Sequence, residues 1–276
     1  QKDRGRLGAR RGATLSQAPR GRPQAVRCRA SPAERWQLRV LLGLNHLFMF
    51  VLAGGATVWM FYRGNIRGVP HWSQYLWLRN WPKVGTVGLA LILMMCSLPM
   101  VLFLQQINKM LPMPDAFRLM EGNTAEMLKG LLQMDYPGEL VANLLIIALI
   151  PALGEELVFR GVLQQQLMRR MTNPWVALMT SAAIFSAVHL QFEGFLSRWL
   201  LGMVLGWLYW RTRNFWVPVA AHFFNNALQV LAQWAYNREL STVDLEQDIQ
   251  IPWQLALMSA FLMWVTWRLI ERNESP

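Results

Sequence analysis

The chain has 276 residues, 54% of them hydrophobic and only 16% charged, well below the roughly 25% charged of soluble domains; its mean hydropathy is positive, which points to a membrane protein. Two cysteines, Cys28 and Cys96, exclude a disulfide framework or a cysteine metal cluster. The net charge of +11 sits at one end: residues 1–39 hold 11 Lys/Arg against Asp3 and Glu34, while the rest holds 16 basic and 14 acidic side chains, which excludes a basic nucleic-acid-binding face on the body.

Residues 1–37 are rich in Gly, Pro, Ser and Arg and have too little apolar content to fold alone, so a disordered basic tail is expected. Three readings of it stand open. It is a juxtamembrane segment held near anionic lipid, an Arg-rich, acid-poor transit peptide, or upstream sequence that the functional protein lacks, since the chain begins at Gln1. A signal peptide does not fit, because the first apolar run is too long and has no small-residue cleavage site.

Residues 38–62 form that first run, interrupted only by Arg39, Asn45 and His46, and residues 84–107 form a second without a charge. Each is long enough to cross about 30 Å of hydrocarbon as a helix. The Trp- and Tyr-rich stretch between them suits the headgroup layer. Residues 114–134 have apolar side chains at helical spacing, as an interfacial helix would.

Residues 139–170 make the third helix, with Pro151 at a potential kink. "TNPW" at residues 172–175 is a helix start, predicting a helix to about Phe192. Further spans are expected at 195–210, 214–236 and 252–270, the last preceded by an acidic loop with Glu239, Asp244, Glu246 and Asp248. The expectation is therefore an all-α fold: a polytopic transmembrane helical bundle of about seven spans over residues 38–276, without strands or internal repeats. The positive-inside rule gives no single orientation: the tail argues for a cytoplasmic N-terminus, and the Arg169/Arg170 and Arg211/Arg213 turns argue against it.

Within "PALGEELVFRG", residues 151–161, lie Glu155, Glu156 and Arg160. Ionisable side chains at mid-span cost about 2.5–3.5 kcal/mol each on insertion scales, so each needs a partner or a task. Glu156 and Arg160 stand at i,i+4 and predict an ion pair on one helix face. Glu155, turned about 100° away, needs something else.

"FSAVH" places Phe185 and His189 on one face of a later helix, and "HFFNN" places His222 and Asn226 on one face of another. A carboxylate and a neutral imidazole around one water can take its proton and aim the hydroxide. A second imidazole and an amide can donate to a developing oxyanion. Three N/O side chains would also suit zinc, although no "HExxH" spacing occurs and each ligand would come from a separate helix. Ser186 beside His189 is a weak nucleophile candidate, with no motif around it.

These three segments, in this order, resemble the motifs of the CPBP family, the type II CAAX prenyl endopeptidases and their bacterial Abi relatives. The resemblance covers roughly residues 139–236, a stretch that also holds Gly202 and Gly206 ahead of a short turn. It implies a glutamate-dependent intramembrane protease with no required cofactor, zinc being the alternative. It implies Glu155 as the base that activates water, His189 as the residue holding or polarising that water, and His222 with Asn226 as the oxyanion pocket. Glu156 and Arg160 would support the site, as would Phe185. The implied partners are the lipid bilayer and a membrane-associated or lipidated peptide or protein substrate, with no nucleic acid. The implied location is a bacterial cell (inner) membrane. The competing reading is a non-enzymatic immunity or scaffold protein of Abi type, using the polar cluster as helix glue; a proton-relay transporter is a third.

Overall fold

A computed structural model describes residues 31–62, 71–78, 81–241 and 249–274. The expected tail up to residue 30, part of the Trp/Tyr-rich stretch and most of the acidic loop lie outside the described residues. Among those described there is no strand; the body is helical throughout.

Helix α1 (Pro32–Phe61) starts at Pro32 rather than at Leu38. Ser31 and Glu34 explain why: Ser31 Oγ accepts from Glu34 N at 3.3 Å, Glu34 Oε2 accepts from Ser31 N at 2.6 Å, and Pro32 fills the first helical position. Two arginines counted with the basic tail, Arg35 and Arg39, thereby fall inside the body, at 2% and 0% exposure. Glu139 lies between them, accepting from Arg35 Nε at 3.0 Å and from Arg39 Nη1 at 2.7 Å, and Arg39 Nε donates to Asn143 Oδ1 at 2.8 Å.

The short helix α2 (Trp72–Tyr75) departs from the headgroup expectation in part. Trp81 is 87% exposed, but Tyr75 and Leu76 are buried against Val58. Helix α3 (Val84–Lys109) contains Pro99, and Ser259 of the last helix compensates the broken ladder: its hydroxyl accepts from Met100 N and donates to the Cys96 carbonyl. Helix α4 (Asp115–Leu132) exposes Phe117, Leu119 and Met120, as an interfacial helix would.

Helix α5 (Pro137–Arg170) carries two wider π turns, Leu144–Leu149 and Leu157–Gln164, on either side of Glu155 and Glu156. Such turns are frequent at functional sites. Helix α6 (Pro174–Ala187) begins where "TNPW" predicts, with Asn173 Oδ1 accepting from Trp175 N at 2.9 Å. It stops before Phe192 because Leu190 adopts a left-handed backbone, φ 53°. Helices α7 (Phe195–Thr212), α8 (Trp216–Asn237) and α9 (Trp253–Asn273) complete the bundle.

Four helices among the described residues, α1, α3, α5 and α9, are long and apolar enough to cross a membrane. The expectation of about seven spans is thus met in part. Helix α6 is apolar but shorter, and α8 carries His222, Asn225, Asn226 and Gln233. These helices pack inward, where other helices cover their polar groups. The core follows: Leu205, Trp207 and Leu208 of α7 meet Ala90, Leu93 and Met94 of α3, Leu178 of α6, Ala221 of α8 and Ile270 of α9. Trp207 stacks on Trp267 at 3.7 Å between ring centres.

Candidate active site

The glutamate pair sits mid-helix on α5, 5% exposed at Glu155 and fully buried at Glu156. Gly154 lets α1 come close at that level: a Cβ there would lie 2.7 Å from Phe50 Cβ and 3.3 Å from Val51 N. On the other side, Arg160 Nη2 donates to the Gly202 carbonyl at 3.2 Å and Gln164 Nε2 to the Gly206 carbonyl at 2.8 Å, which ties α5 to α7. A Cβ at Gly206 would stand 2.6 Å from Gln164 Oε1, so a larger residue there would have to displace the Gln164 amide.

Glu156 and Arg160 form the ion pair that the i,i+4 spacing predicts, Arg160 Nη1 lying 2.9 Å from Glu156 Oε1. The approach is close but misaligned for a hydrogen bond, and Glu156 Oε2 has no hydrogen-bonding partner among the described residues. The attraction is therefore one of charge. Glu156 also does something the spacing did not predict: its Oε1 accepts from His222 Nδ1 at 2.8 Å.

Glu155 stands between two imidazoles. His46 Nε2 of α1 is 3.5 Å from its Oε1, and His222 Nε2 of α8 is 3.8 Å from its Oε2. His189 was expected as the partner of Glu155. It lies within electrostatic reach without a hydrogen bond to it, and its Nδ1 meets the Phe185 carbonyl at 2.8 Å.

Phe185 gathers the set. Its ring meets His189 edge-on at 5.0 Å and His222 edge-on at 6.1 Å, and the Arg160 guanidinium lies 4.7 Å above it. Asn226 accepts from Asn225 Nδ2 at 3.2 Å and donates from Nδ2 to the Ile147 carbonyl at 3.4 Å.

Tautomers follow from these partners. Carbonyl oxygens only accept, so Nδ1 of His46, which meets the Leu42 carbonyl at 3.2 Å, and Nδ1 of His189 each carry a hydrogen. The ionised Glu156 imposes the same on His222. All three rings therefore keep Nε2 as the nitrogen free for proton exchange. Carboxylate and imidazole nitrogens in that arrangement can move a proton to or from water.

Residues 137–228 match the family described as type II CAAX prenyl endopeptidase Rce1-like. Over that segment the chain is similar to this family. The segment includes Glu155, His189, His222 and Asn226; the first span lies outside it. Two curated relatives from Bacillus subtilis (strain 168) each align to about a third of the chain. One is named "Uncharacterized protein YpbD", 34% identical over 95 residues, 32% of this chain and 44% of that protein. The other is named "Putative membrane peptidase YdiL", 30% identical over 90 residues, 33% of this chain and 36% of that protein. The chain thus aligns with less than half the length of either relative. No solved structure matches it.

Zinc, the alternative cofactor, finds no ready cage: among the described residues no group of three or more His, Cys, Asp or Glu is arranged to hold a metal ion. The two Nε2 atoms nearest Glu155 instead address its two oxygens separately.

His46 was the residue overlooked. Its signal was present, since an ionisable side chain inside an apolar run is a functional candidate by default, but its neighbour Asn45 and the absence of a motif gave it no partner.

Proposed function

We propose that the protein is an intramembrane endopeptidase that hydrolyses a peptide bond in a membrane-associated or lipidated substrate. The observation that carries this reading is the buried Glu155 carboxylate, itself inside the family segment and flanked at 3.5 and 3.8 Å by the Nε2 atoms of His46 and His222.

Glu155 takes a proton from water, and the hydroxide attacks the scissile carbonyl carbon. His189 Nε2, an acceptor because Nδ1–H is committed to Phe185, receives a hydrogen bond from the same water and aims it. The carbonyl π electrons move to oxygen. Protonated His222, its Nδ1–H held by Glu156, donates from Nε2 to that oxyanion, and Asn226 donates from the second hydrogen of its amide. On collapse the C–N bond breaks, and Glu155 returns the proton to the leaving amine. Arg160 holds Glu156 ionised through the steps.

We also assign all seven apolar helices to the membrane, with α6, α7 and α8 as inner helices, in a bacterial cell membrane. The relatives' source and the apolar faces of α1 and α9 support this.

The test is cleavage of an internally quenched farnesylated CAAX peptide by the purified full chain in liposomes. Wild type is expected to cleave, and Glu155→Gln and His189→Ala to abolish cleavage with unchanged helicity. Equal cleavage by either variant removes the mechanism. Silence of wild type together with retained biological activity of Glu155→Gln selects the Abi-type scaffold reading.

A further inference from the structure

The first helix supplies a histidine to a site whose other members all come from the family segment. His46 Nε2 faces Glu155 Oε1 at 3.5 Å from outside residues 137–228. Its placement is built rather than incidental. The ring stacks on Phe50 at 5.5 Å, and Nδ1–H is held by the Leu42 carbonyl one turn earlier. A π turn, Leu47–Leu52, begins at the next residue. The helix that carries it is pressed onto α5 at three levels. Gly154 meets Phe50 and Val51, a Cβ at Gly54 would come within 2.9 Å of Val158 Cγ2, and Gly43 packs on Ile146. These contacts fix the register of α1 and so the level at which His46 meets the carboxylate.

The chemistry of that contact is constrained. With Nδ1–H committed to a carbonyl, a neutral His46 would turn its Nε2 lone pair towards a carboxylate oxygen, and two electron pairs would repel. A proton between them removes the repulsion and gives the buried carboxylate the partner that burial demands. The other groups that face Glu155 are His222 from α8, His189 beyond α6, and Glu156 and Arg160 on its own helix. Of these, Arg160 is committed to Glu156, and His222 Nε2 is farther, at 3.8 Å, from the opposite oxygen.

We propose that His46 is a positioning residue: as an imidazolium it holds the ionised Glu155 by Oε1, leaving Oε2 as the oxygen that receives the water proton. This rests on the hydrolytic reading above for its consequence, but the His46–Glu155 pair stands independently of it. Helix α1 then becomes part of the site rather than a passive anchor.

Two measurements on the full chain in nanodiscs test the pair and its consequence separately. The chain has 4 histidines, so histidine-selective ¹⁵N labelling gives a spectrum that single His→Gln substitutions can assign. In wild type, His46 Nε2 is expected to resonate as a protonated nitrogen, and in Glu155→Gln as an unprotonated one. An Nε2 signal identical in the two proteins overturns the pair, whether or not any peptide is cleaved.

The consequence is read with the internally quenched farnesylated CAAX peptide. His46→Leu should lower kcat about 10²-fold, the scale of a misplaced catalytic group, with KM changed less than about twofold. His46→Gln, which keeps a donor facing Oε1, should recover about tenfold of that loss. Wild-type kcat in both variants overturns the positioning role even where the ¹⁵N signal moves. A wild type that leaves the peptide intact counts against the endopeptidase reading, and the ¹⁵N comparison still decides the pair.

Discussion

Asn226 Nδ2 reaches, at 3.4 Å, the carbonyl of Ile147, in the π turn that precedes Pro151 on α5. Proline removes the i→i−4 donor from a helix, and in a membrane bundle a neighbouring side chain re-satisfies the acceptor. The asparagine is thus oriented by a carbonyl just ahead of the family-segment proline.

That link separates glue from chemistry. Asn226→Ala is expected to cost about 0.6–2 kcal/mol of stability, the range for an interhelical hydrogen bond, but about 10²–10³-fold in kcat, the range for an oxyanion donor. Denaturant unfolding and peptide cleavage, measured on the same preparation, check both. A kcat loss no larger than the stability loss would assign Asn226 to packing alone.

Glu156 offers a sharper case, because one carboxylate serves His222 Nδ1 and Arg160 at once. Glu156→Gln keeps the shape and removes the charge. His222 Nδ1 then loses its charged acceptor, and Arg160 is left buried beside a neutral amide. Losing the orienting carboxylate of a catalytic histidine is worth up to about 10⁴-fold in kcat, so a drop of 10²–10⁴-fold is expected. Arg160→Ala, which strands a buried carboxylate, should instead appear first as lost stability of about 3–5 kcal/mol. Folded yield and kcat of the two variants distinguish the cases.

What the sequence made legible was whatever helix geometry decides locally. The Glu156–Arg160 pair follows from i,i+4 spacing, and so does the shared face of His222 and Asn226. The start of α6 followed from Asn173 and Pro174. Contacts set by packing were hidden: Glu156 with His222 across 66 residues, Arg39 with Glu139 across 100, and His46 with Glu155. Arg35 and Arg39 read as part of the basic tail because they look solvated until Glu139 and Asn143 are brought against them. Only four of the seven expected spans stand out by length and apolarity among the described residues, for a related reason. Helices sheathed by other helices hold polar groups that lipid-facing ones cannot, so apolarity does not report crossing for both kinds alike.

The buried network at the base of α1 predicts an asymmetry between two carboxylates. Glu139, 0% exposed, is shared by Arg35 and Arg39, whereas the Asp135 side chain, 47% exposed, meets only Arg35 at 2.6 Å. Removing the buried partner leaves Arg39 without a carboxylate and Arg35 with only the half-exposed Asp135. Glu139→Ala should therefore cost about 3–5 kcal/mol or prevent folding, and Asp135→Ala about 0–1 kcal/mol. Thermal unfolding in detergent measures both, and equal effects would contradict the burial of the network. Because this network anchors the helix that carries His46, a folded fraction of Glu139→Gln should also show reduced kcat.

The glycines of α5 and α3 make the last comparison. At Gly154 an added methyl would stand 2.7 Å from Phe50 Cβ and 3.0 Å from Val51 Cγ2, contacts that α1 relieves only by moving away. At Gly88 nothing lies within 4 Å of the same position. Gly88→Ala should thus stabilise the protein by about 0.5–1 kcal/mol through helix propensity alone. Gly154→Ala gains the same propensity but meets overpacking of about 1–3 kcal/mol, for a net loss. It should also pull His46 from Glu155, because the methyl lies one residue before the carboxylate and presses on the turn that follows the histidine. The expected signature is a lowered unfolding midpoint together with the unprotonated His46 Nε2 resonance. A Gly154→Ala protein as stable as Gly88→Ala would mean that α1 does not approach α5 as closely as its glycines allow.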